Sequence, residues 1–143
     1  MSEPSLFGVL VTFRRPVALG ETLRRLTEQD RRLDHLVVVD NDPSAESRSA
    51  VAGAGAIAGS VEHLEMPENV GFTGGVAAGM RWVLERADDR DWIVVLDDDD
   101  PVPYPIVFSE LERADDVGMM DLRGEPSFFE EWPTHTRILD GAR

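Results

Sequence analysis

Four consecutive aspartates, Asp97, Asp98, Asp99 and Asp100, follow directly on the apolar run IVVL and are closed by PVP. Adjacent carboxylates repel one another and add nothing to a core, so their place after a hydrophobic strand calls for a ligand. Hard divalent cations take carboxylate oxygens, and Mg²⁺ combines one or two carboxylates with phosphate oxygens and water. Alternate residues of an extended segment point the same way. Asp97 with Asp99, or Asp98 with Asp100, therefore presents two carboxylates together. A cation held there bridges to a diphosphate and neutralises charge on a leaving group. The plainer alternative is a solvated acidic loop, the usual fate of a charge run. Position after a buried strand weighs toward the metal.

Two further clusters carry chemistry. In VVVDND, Asp40 can accept a hydrogen bond from a base or ribose, as acids after a strand do in dinucleotide folds. Turn formation ahead of Pro43 explains Asn41 and Asp42 equally well. The segment ENVGFTGG, residues 68–75, leads into a helix. Its Gly71, Gly74 and Gly75 let backbone approach a ligand, and a helix N-terminus offers N–H groups to an anion. Neither GK[ST] nor GxGxxG is present, so a loop with a helix cap is the alternative. His35, His63 and His135 lack ligand spacing, and the first two fall in strands as structural residues. No nucleophile elbow or Ser–His–Asp order occurs.

The elements that position these residues alternate. Residues 6–13 (LFGVLVTF) form a continuous apolar run, the mark of a strand buried on both faces. Pro16 suits a helix start, and Leu19, Leu23 and Leu26 continue that helix over 16–29. Strands follow at 35–39, 61–66 and 92–96. A convincing helix spans 74–87, with Val76, Met80, Val83 and Ala87 on one stripe. Residues 45–58 read as a weak helix running into a Gly/Ala loop, and 105–113 opens another helix. This βαβαβαβ rhythm implies an α/β doubly wound fold with a mostly parallel sheet and helices on both faces. Ligands of such sheets collect at the carboxyl ends of the strands. The polar residues follow strands, so they should converge on one rim.

The chain has 143 residues, the size of one domain, with 42% hydrophobic and 29% charged residues. It has no cysteine, which excludes disulfides and thiolate metal sites. All 14 basic residues are arginine, against 28 acids, for a formal charge of −14. That balance argues against nucleic acid or anionic lipid as a general surface partner. No apolar run approaches the ~18 residues that span a bilayer, and no secretory signal pattern opens the chain. A cytoplasmic location is the expectation.

In order, VTFRRP at 11–16, VVVDND at 37–42, ENVGFTGGVAAGM at 68–80 and DWIVVLDDDDPVP at 91–103 resemble the nucleotide-binding half of the family 2 glycosyltransferases. NVGFTGG and DDDDP look most like the bacterial galactofuranosyl- and rhamnosyltransferase branches. The resemblance implies a three-layer, Rossmann-like GT-A fold over a single domain, with motifs in 6–113 and a short tail over 114–143. It implies that Thr12 and Arg14 line the base pocket and that Asp40 holds a uracil or thymine ring. Asn69, Gly71, Gly74 and Gly75 would lie beside the nucleotide. A DxD motif within residues 97–100 would bind Mn²⁺ or Mg²⁺ through the donor diphosphate. The resemblance implies Asp97 and Asp99 as its metal-binding frame and Asp98 toward the nucleotide, with Asp98 and Asp100 in reserve as ligands. Arg14 and Ala77 replace asparagines common in the family, and only residues 104–143 follow Pro103. Inversion needs a base to deprotonate the acceptor hydroxyl. The acidic tail offers Glu130 and Glu131, or else these are exposed loop acids.

The leading function is metal-dependent, inverting transfer of a sugar from a UDP- or dTDP-sugar to a saccharide or lipid-linked saccharide. The second is a truncated, non-catalytic nucleotide-binding domain, alone, as a homo-oligomer or with a partner supplying the acceptor site. A nucleotidyltransferase would need a Gly-rich, Lys-bearing loop after the first strand, and VTFRRP has neither. A haloacid dehalogenase-type phosphatase would place its DxD after the first strand.

Overall fold

The computed structural model describes residues 3–55 and 57–99. Within them four strands and three helices alternate: β1 (Leu6–Thr12), α1 (Pro16–Leu26), β2 (Leu33–Asp40), α2 (Ala45–Ala52), β3 (Ala58–Glu65), α3 (Gly71–Leu84) and β4 (Trp92–Asp97). The sheet is parallel throughout, in the order β3-β2-β1-β4. The expected α/β three-layer plan with a parallel sheet is what the chain adopts.

β1 lies inside the sheet with all seven residues buried, which is why its sequence is continuously apolar rather than alternating. Its side chains divide between the faces. Leu6 and Leu10 pack with Leu19, Leu23 and Leu26 of α1 and Val51 of α2. Phe7, Val9 and Val11 pack under Ala78 and Val83 of α3. The register sets Thr12 beside Asp40 and Val11 beside Asp97. The polar ends of β1, β2 and β4 therefore arrive at one level.

Several boundaries differ from expectation, each for a local reason. α1 stops at Leu26 rather than 29 because the Thr27 hydroxyl takes the Arg24 carbonyl, and the next amides bond three residues back. α2 is a true helix ended at Ala52, begun by a reciprocal cap between Ser44 and Ser47. β3 runs over Ala58–Glu65 rather than 61–66, and its half-exposed positions explain its weak apolar signal. α3 begins at Gly71 rather than 74, on a left-handed φ of 73° that glycine adopts without strain. It ends at Leu84 rather than 87. The expected helix over 105–113 lies outside the described residues.

Small residues let α3 approach the sheet. Gly75, Ala78, Gly79 and Val83 form its buried face, while Val76, Met80 and Ala87 flank that contact partly buried. A Cβ on Gly79 would stand 2.4 Å from Val9 Cγ1, and one on Gly75 would stand 2.7 Å from Val11 Cγ1. Gly20 in α1 is the opposite case, with nothing within 4 Å of its Cβ position. Gly20→Ala should therefore raise stability by about 0.5–1 kcal/mol through helix propensity alone. A urea melt with lowered midpoint would show that the position is sterically closed after all.

Candidate functional site

The rim begins at Asp98, a carboxylate with 3% of its side chain exposed. Its Oδ2 accepts the Thr12 hydroxyl at 2.8 Å, its Oδ1 accepts Arg15 Nη1 at 3.1 Å, and its carbonyl accepts the buried Thr22 hydroxyl at 2.7 Å. Asp98 is thus pinned to β1 and α1 from three directions. Asp97 accepts the Asp98 amide at 2.8 Å. Asp99 is exposed and ion-paired with Arg15. Extended alternation would have presented the aspartates in twos. Instead the chain turns at residues 98–99, and oxygens of Asp97, Asp98 and Asp99 come within 4.8 Å of one another.

That crowding has an electrostatic signature. Burial first, then the contact with Asp98 and the charge of Asp99, push the Asp97 carboxyl above its ordinary range. A carboxyl with a raised native pKa favours folding while protonated, and that contribution is lost as pH rises through the native value. A divalent cation held by these carboxylates would offset the repulsion among them. Three hard oxygen donors on a short turn suit Mg²⁺ or Mn²⁺.

Asp40 ends β2 fully buried, at 1% exposure. Its Oδ1 accepts the Asp42 amide at 3.1 Å, and its Oδ2 lies 3.0 Å from His63 Nε2. Asn41, beside it, is the hub of the loop ahead of α3. Its Oδ1 accepts the Val70 amide at 3.3 Å, its Nδ2 donates to the Gly71 carbonyl at 3.1 Å, and its own amide donates to the Thr12 carbonyl. Asn69 caps the same turn by accepting the Gly71 amide at 2.9 Å. Gly74 and Gly75 lie inside α3, Gly74 against Val70 and Gly75 against Val11 and Asn41.

Arg14 sits in left-handed backbone, φ 53°, and pairs with Asp42 at 2.5 Å. Phe13, Arg14, Asn41, Asp42, Glu68 and Asn69 line a polar cleft of about 530 Å³ over the ends of β1, β2 and β3. A second hollow of about 450 Å³ between Val17 and Ala45 has Glu46 as its charged group and lies apart from these residues. Convergent polar groups make the first the candidate binding cleft.

Of the site residues expected from sequence, Thr12, Arg14, Asp40, Asn69, Gly71, Gly74, Gly75, Asp97, Asp98 and Asp99 gather along this rim. Asp100, Glu130 and Glu131 lie outside the described residues. Sequence reasoning passed over Arg15 and Thr22, read Asn41 only as a turn former, and took His63 as structural only. The doubled arginine before Pro16 was a signal for Arg15. His63 stands two residues before Glu65, the register partner of Asp40, which a correct strand alignment would have exposed.

A parallel α/β sheet in which strand order reverses between β1 and β4, with acids at that reversal, has the plan of a GT-A nucleotide-sugar fold. The glycosyl transferase family 2 model matches residues 9–134, and the chain belongs to that family. It is similar to galactofuranosyltransferase GlfT1 of Mycobacterium tuberculosis, 43% identical over 97 residues, which are 66% of this chain and 30% of that protein. It is also similar to GlfT1 of Mycolicibacterium smegmatis, 41% identical over 92 residues, 64% of this chain and 29% of that protein. The chain matches about 30% of the length of these relatives. Among the described residues no helix is long and apolar enough to cross a membrane.

Proposed function

We propose that this chain forms a single domain that binds the donor of a metal-dependent, inverting glycosyltransferase, a UDP- or dTDP-linked sugar. The observation that carries the reading is the three-carboxylate turn at the strand reversal, tied by the Asp98 hydrogen bond to Thr12, whose neighbours Phe13 and Arg14 line the polar cleft. In this reading the nucleoside occupies the cleft beside Arg14, Asp40, Asn69 and Gly71. Gly74 and Gly75 keep α3 close against that cleft. Asp97 and Asp99 hold Mn²⁺ or Mg²⁺, and Asp98 orients the turn toward the diphosphate. The cation supplies charge neutralisation on the diphosphate leaving group. The similarity to galactofuranosyltransferases favours a galactofuranosyl donor and a saccharide or lipid-linked saccharide acceptor. Glu130 or Glu131 is proposed as the base for the acceptor hydroxyl.

Calorimetric titration with UDP, dTDP and GDP, each with Mn²⁺ and with chelator, tests this reading. UDP or dTDP should bind at least about tenfold more tightly with Mn²⁺, because the cation removes repulsion between diphosphate and carboxylates. Equal affinity in chelator would remove the metal from the mechanism. A preference for GDP would remove the pyrimidine.

A further inference from the structure

Arg15 is the N-cap residue of α1, yet its side chain makes no cap hydrogen bond. Its guanidinium goes to the acidic turn. Nη1 donates to Asp98 Oδ1 at 3.1 Å and, closer still, to Asp99 Oδ2. One nitrogen therefore bridges a buried carboxylate, 3% exposed, and an open one, 54% exposed. The preceding Arg14, in left-handed backbone, sends its side chain to Asp42 instead. Two successive arginines thus serve the ends of different strands, and the backbone bend between them is of the kind that persists where the surroundings enforce it.

We propose that Arg15 is a tethered counter-cation of the acidic turn, which gives up Asp99 to a divalent metal and transfers to the donor diphosphate when the metal enters. The inference rests on the metal and diphosphate reading above. A divalent ion among these carboxylates would sit within a few ångströms of a guanidinium, and like charges at that range repel strongly. Diphosphate oxygens offer the guanidinium a partner at least as good, because its planar fork matches phosphate geometry. Departure of Arg15 leaves the turn intact, since Thr12 and Thr22 still hold the Asp98 carboxylate and carbonyl. The side chain is half exposed and swings without disturbing the core. Metal and nucleotide consequently bind as a coupled pair, each making room for the other.

The test is titration of Mn²⁺ alone, and of Mn²⁺ with saturating UDP, into the full chain as wild type, Arg15→Gln and Arg15→Lys. Arg15→Gln should bind Mn²⁺ alone about tenfold more tightly, because a neighbouring positive charge is gone. The enhancement of Mn²⁺ affinity by UDP should shrink by a similar factor, and Arg15→Lys, which keeps the charge but not the fork, should match wild type for Mn²⁺ alone and retain only part of the enhancement by UDP. If wild type couples Mn²⁺ to UDP and Arg15→Gln leaves both affinities unchanged, Arg15 has no such role while the metal reading stands. Weaker binding of Mn²⁺ alone by Arg15→Gln also overturns it. If no form binds Mn²⁺ with or without UDP, the metal reading fails and this one with it.

Discussion

Asp99→Asn should weaken Mn²⁺-supported UDP binding by roughly a hundredfold, at least what losing a supporting residue around a metal costs. Asparagine keeps the size of the side chain but removes its charge, and a hard cation discriminates strongly against that loss. Stability without ligand should barely change. The exposed pair with Arg15 is worth no more than about 1 kcal/mol, and relief of repulsion among the carboxylates offsets part of it. Melting temperature without ligand should thus stay within roughly 4 °C of wild type. The rise produced by Mn²⁺ with UDP should nearly vanish. A mutant that melts lower but keeps the full ligand-induced rise would return Asp99 to a structural role at the turn.

Gly79→Leu should destabilise the fold by about 3 kcal/mol or more, the upper range for overfilling a packed interior. Leucine is among the strong helix formers, so helix propensity cannot account for a loss. Even the first added carbon meets Val9 Cγ1 at 2.4 Å and Val39 Cγ2 at 3.1 Å. Both valines are fully buried in the sheet and cannot retreat. Gly79→Ala gains about 1 kcal/mol of propensity against the same close contact, and should still come out destabilised. Urea unfolding of the two mutants beside Gly20→Ala measures all three signs together. Wild-type stability in Gly79→Leu would mean that α3 stands further from β1 than described.

The parallel sheet was legible because its inner strands are apolar on both faces, so that LFGVLVTF and HLVVV announce themselves without periodicity. β3 was harder to place, because only part of it is covered and its polar residues blur the start. The beginning of α3 was misplaced for a different reason. Glycine carries a low helix propensity, so GFTGG reads as loop, whereas Gly71 supplies the left-handed φ at the helix start and Gly75 lets the helix lie against Val11. The acidic turn was legible as a cluster but not as a geometry. Alternation predicts carboxylates in twos, and only the turn at residues 98–99 brings three together. Arg15 and Asn41 escaped because their roles are pairings across the chain: Arg15 reaches residues 83 and 84 positions away, and Asn41 reaches the loop before α3.

The hydrogen bond from Thr12 to Asp98 joins residues 86 positions apart. During synthesis β1, β2 and β3 can pair as soon as they emerge, since each lies beside its predecessor. β4 is the late arrival, docking on the opposite side of β1 and bringing its aspartates to a rim already built. Until then Thr12 has no Asp98 carboxylate to meet and the three-carboxylate turn is absent from the rim. A nascent chain therefore completes the proposed donor site in the same step that completes the described sheet. On the proposed reading, ligand capture is then open only to molecules in which β4 has found its place beside β1.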